Sequence, residues 1–309
     1  MLVFTRLTKI PGAKHNNLRP HNKRVTGDIP VDYKWLCGIG ALVCFGFFLV
    51  HLLQLNSVAA ESVVVRYPEG VAHGFLVLRT LDGKPIADGE STQVAHSDRV
   101  TNRIWFKFTD GSIYEQTTVF SQDGTFHLVS DHVLQKGPIF ERPMETAIDT
   151  ASGQVTVRYK EHGEEKILTK RLRLPPDVAN GMLFAVLKNV RRNAPKTTVS
   201  YVATTPKPRL VNLEFIPQGQ ESFSIGRSTH KAIRYAVNVK IGGLAGAVAT
   251  LLGKKPPNIQ AWVLANDAPA LVRWDGPLNT EGPVWRMELA IPAVWPDTTG
   301  VSRQKANGY

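Results

Sequence analysis

Glu115 and His132 are a carboxylate and an imidazole that simple hairpin geometry sets side by side. If Asp110-Gly111 and Asp123-Gly124 each form a two-residue loop, Phe108 faces Ile113, Phe106 faces Glu115 and Glu115 faces His132. The pair then shares a face with Ile104, Phe106, Phe108 and Ile113. Aromatic surroundings would raise the carboxyl pKa and a cationic imidazole would oppose that shift. Such a pair can act as acid and base in a hydrolase or lyase, or orient a ligand. It can equally be a structural cross-strand pair, since one bulge changes the register and no nucleophile stands nearby.

A second group lies in the last fifth of the chain, where Trp262, Trp274, Trp285 and Trp295 are interspersed with Arg273 and Arg286. These tryptophans either fill a core or line a pocket for an apolar ligand, with Arg273 available to an acidic head group. Leu244 joins that candidate ligand set from the glycine-rich run Ile241 to Gly253, which reads either as a buried plug or as a lid touching lipid.

Other chemistries find little support. His127 and His132 differ by an odd number and point to opposite faces of a strand. Without His-Glu-x-x-His, a paired-cysteine site or a calcium loop, no metal or other cofactor is expected. Gly253-Lys254 lacks the rest of a phosphate loop, and no Gly-x-Ser-x-Gly elbow occurs. The aromatic and basic run from Arg103 to Lys107 reads as a half-exposed strand and not as a nucleic-acid surface.

The elements that must position these residues are mostly strands. Ile233, Tyr235, Val237, Val239 and Ile241 alternate with Arg234, Asn238 and Lys240, and similar runs begin at Val155 and Val211. Asp82-Gly83, Asp110-Gly111, Asp123-Gly124, Ser152-Gly153 and His162-Gly163 tolerate the positive φ of tight hairpins. Asp177 to Arg192 breaks the period: Val178, Met182, Val186 and Val190 recur every fourth residue, which predicts one helix capped by Asp177. The strand Asn258 to Ala265 is apolar in both alternating sets and should be covered on both faces.

Compartment is written nearer the N-terminus. Trp35 to Leu53 contains no Asp, Glu, Lys or Arg and is about long enough to cross a bilayer as a helix. Seven Lys and Arg precede it against two Asp, which predicts a cytoplasmic tail at 1–34, a signal or anchor helix at 35–55 and export of the remainder of the chain. Small residues before a cut after Ala60 suit a signal peptidase, whereas the length of the apolar run suits retention in the inner membrane, so both outcomes stay open. Both cysteines, Cys37 and Cys44, lie inside the apolar run, and the exported domain at 61–296 must fold without disulfides. The formal charge of +11 owes +5 to the tail, so it argues little for nucleic acid. Residues 297–309 read as a flexible C-terminal tail.

The runs Asp110-Gly111-Ser112-Ile113, Gln135-Lys136-Gly137-Pro138, Leu174 to Gly181, Thr205-Pro206-Lys207-Pro208-Arg209 and Gly282 to Arg286 resemble an uncharacterised family of exported bacterial proteins, a domain of unknown function. More distantly, the C-terminal layout through Ala268 to Arg273 is similar to envelope lipoprotein-carrier folds. That likeness implies a curved antiparallel sheet wrapped round a helix and an apolar cavity, and it carries no catalytic residues. The expectation is a mainly β protein: an antiparallel curved sheet or half-barrel meander on one helix, in the periplasm or anchored facing it. Its expected role is non-enzymatic binding of a lipid-like envelope ligand. The alternatives are an assembly protein acting through protein contacts and a hydrolase or lyase using Glu115 and His132.

Overall fold

A computed structural model of the chain describes residues 62–241, 258–280, 282–291 and 293–294. The chain divides after Ser57, and every described residue belongs to the second unit. The apolar segment Trp35 to Leu53, the run 242–257 with Leu244, Trp295 and the tail 297–309 lie outside the described residues. Among the described residues no helix is long and apolar enough to cross a membrane.

The protein is mainly β. Eight strands form a meander in chain order: β1 (Ala72–Arg79), β2 (Pro85–His96), β3 (Arg99–Phe108), β4 (Ile113–Ser121), β5 (His127–Lys136), β6 (Met144–Asp149), β7 (Gln154–Glu161) and β8 (Glu164–Arg171). A short helix, α1 (Leu183–Asn189), separates them from β9 (Thr197–Ala203), β10 (Arg209–Ile225), β11 (Ser228–Lys240), β12 (Ile259–Leu264), β13 (Leu271–Gly276), β14 (Trp285–Leu289) and β15 (Ala293–Val294). All are joined in one antiparallel, unclosed sheet, ordered β15-β10-β11-β12-β13-β14-β1-β2-β3-β4-β5-β6-β7-β8, with β9 pairing β10. The seam between the two halves is β1 on β14, where Leu76 meets Leu289 and Leu78 meets Met287.

Alternation decides which face is buried. In β11 Ile233, Tyr235 and Val237 are buried while Asn238 and Lys240 are exposed or half-buried, and in β7 Val155 and Val157 are wholly buried. The buried face of β3 and β4 and that of β9 to β14 belong to one core with α1, so the sheet curves around the helix. Turn chemistry sets the hairpins: His162 and Gly163 both have positive φ (52° and 84°), which matches the right-handed twist of β7 and β8 across a two-residue loop.

The β3–β4 connection departs from expectation. Its loop closes with Phe108 N–H bonded to Ser112 O and Gly111 at φ 84°, the geometry of a longer turn closed by a glycine bulge. Register therefore moves by one residue: Trp105, not Phe106, faces Glu115, and Lys107, not Phe108, faces Ile113. A slip of one turns every side chain to the other face. A second irregularity between Val119 and Phe120 sets His132 opposite Thr117.

The helix is also shorter than its periodicity predicts. Gly181 sits at φ 60°, a left-handed conformation that interrupts a helix, and α1 starts after Met182 without a side-chain cap. Asp177 does not cap it. The Asp177 carboxylate accepts Ser200 N–H at 2.7 Å, Ala179 N–H reaches Ser200 O at 2.9 Å, and the Asn180 amide bonds both N–H and C=O of Val202. Residues 177–180 are thus spent on the free edge of β9, where short polar side chains compete well against helix formation.

The two ends of α1 are anchored differently. At its C-terminal end Asn189, wholly buried, accepts Arg66 N–H and Tyr67 N–H at 2.7 Å each. The Lys188 ammonium lies 2.6 and 2.7 Å from the two oxygens of buried Glu69. At its N-terminal end Phe184 packs edge-on against Trp274, with ring centroids 5.5 Å apart.

Candidate functional site

The concave side of the sheet and the start of α1 leave a cavity of about 360 Å3. Its walls are laid by strand alternation: Val211 and Leu213 from β10, Val237 and Val239 from β11, Ile259 from β12, Trp274 from β13, Met287 from β14 and Ile104 from β3. Gly181, Leu183 and Phe184 close it from the helix side, and the β13–β14 connection contributes Pro277 to Thr280. The volume is at the small end of ordinary ligand pockets, about 300 to 1,000 Å3, and the lining is as apolar as such pockets require.

One wall is polar and internally satisfied. The Tyr114 hydroxyl lies 3.1 Å from both Gln116 Oε1 and Leu278 O, and Gln116 donates a 3.0 Å hydrogen bond to Asp131 Oδ1. Thr118 donates to the same oxygen at 2.7 Å. Burial pushes the Asp131 carboxyl up to about 6, partly offset by these two donors and by His132. Burial also raises the Tyr114 and Tyr201 phenols well above their ordinary value, and Tyr201 bonds Thr280. Gly181 lies directly over Thr118 and Asp131, and a Cβ there would collide with both side chains. Only glycine allows this approach at positive φ.

Arg209, at the first residue of β10, is the one charged side chain lining the cavity among the described residues, and it is exposed. It forms no ion pair with a described carboxylate. Thr280 is the other exposed lining residue, so the two mark the rim.

Of the described residues expected from sequence, Trp274 lines the cavity and the others lie elsewhere. Trp262 and Arg273 face away from the cavity: the guanidinium stacks on the indole at 4.2 Å and forks onto Asp275 at 2.9 and 2.6 Å. Arg286 adds to the same carboxylate, and Trp262 Nε1 donates to Glu221 at 2.7 Å. Trp262 is therefore buried in a small separate cluster with Phe223, Ala232 and Val272, while Ala261 and Val263 enter the main core. The strand is covered on both faces as its composition implies. Trp285 packs between Phe108 and Phe140, at 5.4 and 6.4 Å, and does not line the cavity.

Glu115 and His132 stand on the convex face, opposite to the buried Ile104, Phe106 and Phe108. Each has another partner: Arg103 Nε lies 2.8 Å from Glu115 and Glu145 lies 2.8 Å from His132 Nε2. The longer loop and the bulge thus take the pair off the aromatic face that two-residue hairpins would have given it. Among the described residues no group of three or more His, Cys, Asp or Glu is placed to hold a metal.

Arg209, Tyr114, Gln116, Asp131 and Tyr201 do not stand out in the sequence. A signal exists all the same: Tyr114, Gln116, Thr118 and Phe120 alternate on one face, as do Asp131, Val133 and Gln135, so the observed register places their polar members among apolar ones. No family model, curated protein or solved structure matches the chain.

Proposed function

We propose that this is an exported envelope protein that holds a lipid-like or otherwise apolar ligand, without chemistry, between the concave sheet and α1. The observation that carries this reading is the apolar cavity of about 360 Å3, open at a rim marked by Arg209 and Thr280. Burying an apolar ligand there releases hydration water at roughly 25 cal/mol per Å2 removed from solvent, which is sufficient for affinity without a reacting group. The apolar run Trp35 to Leu53 and the basic tail before it support export and a membrane partner, with the domain either retained in the inner membrane or released near Ala60.

The test is native mass spectrometry of the full-length chain, purified gently from a Gram-negative host, beside a Val237→Trp variant whose indole would occupy the cavity. A co-purifying lipid-like mass in the wild type that is absent from the variant supports ligand holding. Identical bare masses from both, with both proteins folded, oppose it. N-terminal sequencing of the same material distinguishes retention from cleavage after Ala60.

A further inference from the structure

The rim of the cavity carries information about the ligand's polar end. Arg209, Val211 and Leu213 alternate on one face of β10 and all line the cavity, so the wall runs from a cation at the mouth to apolar side chains within. At about 3.4 Å per residue, Leu213 lies about 14 Å along the strand from Arg209. Trp274 and Met287 are buried further round the same wall. Arg209 is held in place: its backbone pairs with Ala203, the preceding turn is closed by Thr205 bonding Lys207, and Lys170 bonds Pro208 O at 3.2 Å. Two other exposed arginines of this sheet have carboxylates beside them, Arg103 with Glu115 and Arg158 with Glu145 and Glu165, whereas Arg99 and Arg171, which share with Arg209 the lack of an ion pair to a described carboxylate, do not line the cavity. No described carboxylate stands beside Arg209, which leaves its fork of donors turned to the mouth of an apolar hole.

Resting on the ligand-holding reading, we infer that the occupant is a single-chain anionic amphiphile. Arg209 receives its carboxylate or phosphate head and the chain runs along Val211 and Leu213 toward Trp274. A planar guanidinium matches both heads with paired hydrogen bonds, and such charge-assisted contacts are the strong ones. Size argues for one chain. An apolar cavity of about 150 Å3 takes a six-carbon ring, so the 360 Å3 here suits one chain of roughly a dozen carbons and not the paired tails of a bilayer lipid.

The experiment uses the full-length chain in phosphatidylcholine nanodiscs with three photoreactive probes, each carrying a diazirine at the far end of a dodecyl chain: the carboxylate, the phosphate and the alcohol. Labelled residues are mapped by peptide mass spectrometry. The carboxylate or the phosphate, or both, should label the neighbourhood of Trp274 and Met287 at roughly one-tenth of the concentration the alcohol needs. Arg209→Gln should erase that tenfold advantage, Arg209→Lys should keep part of it, and alcohol labelling should be the same in all three proteins, which reports that the cavity is intact. Whichever anionic probe depends on Arg209 identifies the head. Equal labelling by alcohol and anions, unaffected by Arg209→Gln, overturns the head-group inference while leaving ligand holding in place. Failure of every probe to label the lining overturns both.

Discussion

Thr118 Oγ1 donates to Asp131 Oδ1 at 2.7 Å across β4 and β5, in a site where both residues are buried and Gly181 lies against them. The carboxyl is raised from 3.8 to about 6, first by burial. Between those two values the folded protein binds more protons than the unfolded chain, so this group makes stability fall as pH rises from about 4 to about 6, with the loss complete above that. Asp131→Asn keeps an oxygen for Thr118 and Gln116 and removes the buried charge. Its melting temperature should exceed that of the wild type at pH 7.5, by the equivalent of about 3 kcal/mol, and match it near pH 4. A variant less stable at both pH values would show that the ionised form is needed.

Gly181→Ala should be far more damaging than Gly163→Ala. Both glycines have positive φ, at 60° and 84°, but the first faces Thr118 and Asp131 and the second faces open space. The left-handed conformation alone costs an alanine about 1 kcal/mol, and displacement of the buried pair should bring the Gly181 loss to about 3 kcal/mol or more. Denaturant midpoints of the two variants decide this.

Lys188→Met leaves Glu69, whose side chain is 4% exposed, without its counter-ion. Stranding a buried charge costs about 3 to 5 kcal/mol, so this variant should unfold early. Glu69→Gln combined with Lys188→Met should recover most of the loss, because Gln93 and Gln122 remain to bond the segment. An unrecovered double variant would assign the loss to packing of α1 instead of charge.

Trp274→Ala removes the ring that meets Phe184 and widens the cavity. Truncating a buried tryptophan costs about 3 to 5 kcal/mol. Soaking the variant with a bulkier apolar ligand should return part of that in the melting temperature, whereas the wild type should show no such gain.

Glu115→Gln and His132→Ala should each shift stability by less than about 1 kcal/mol, as exposed pairs generally do, and should leave ligand occupancy unchanged. Their pairing requires a two-residue loop at Asp123-Gly124, and their aromatic surroundings require one at Asp110-Gly111; the chain forms neither. Alternation of Ile104, Phe106 and Phe108 correctly marks a buried face, and the Asp-Gly pair correctly marks the turn. The length of that turn is decided by the Phe108–Ser112 closure, a difference too small for composition to encode. Similarly, the fourfold spacing of Val178, Met182, Val186 and Val190 is genuine, and all four are buried. Yet Asp177 and Asn180 find stronger partners on β9 than a helix offers, and α1 shrinks to Leu183–Asn189. The fold class is legible in the sequence because periodicity is local. The cavity is not, because its walls come from strands as distant in sequence as β3 and β14.

The side chains of Asp177 and Asn180 have one more consequence. Ser200 and Val202 are the positions where β9 turns its backbone away from β10, and Ser200 N–H, Ser200 C=O, Val202 N–H and Val202 C=O are each occupied by the 177–180 segment. An open sheet of this length invites edge-to-edge joining of separate molecules, and here two short polar residues occupy that invitation from within the chain. Replacing Asp177 and Asn180 by alanine would therefore expose a template for intermolecular strand exchange, and the expected symptom is concentration-dependent polymerisation of protein that is otherwise still folded.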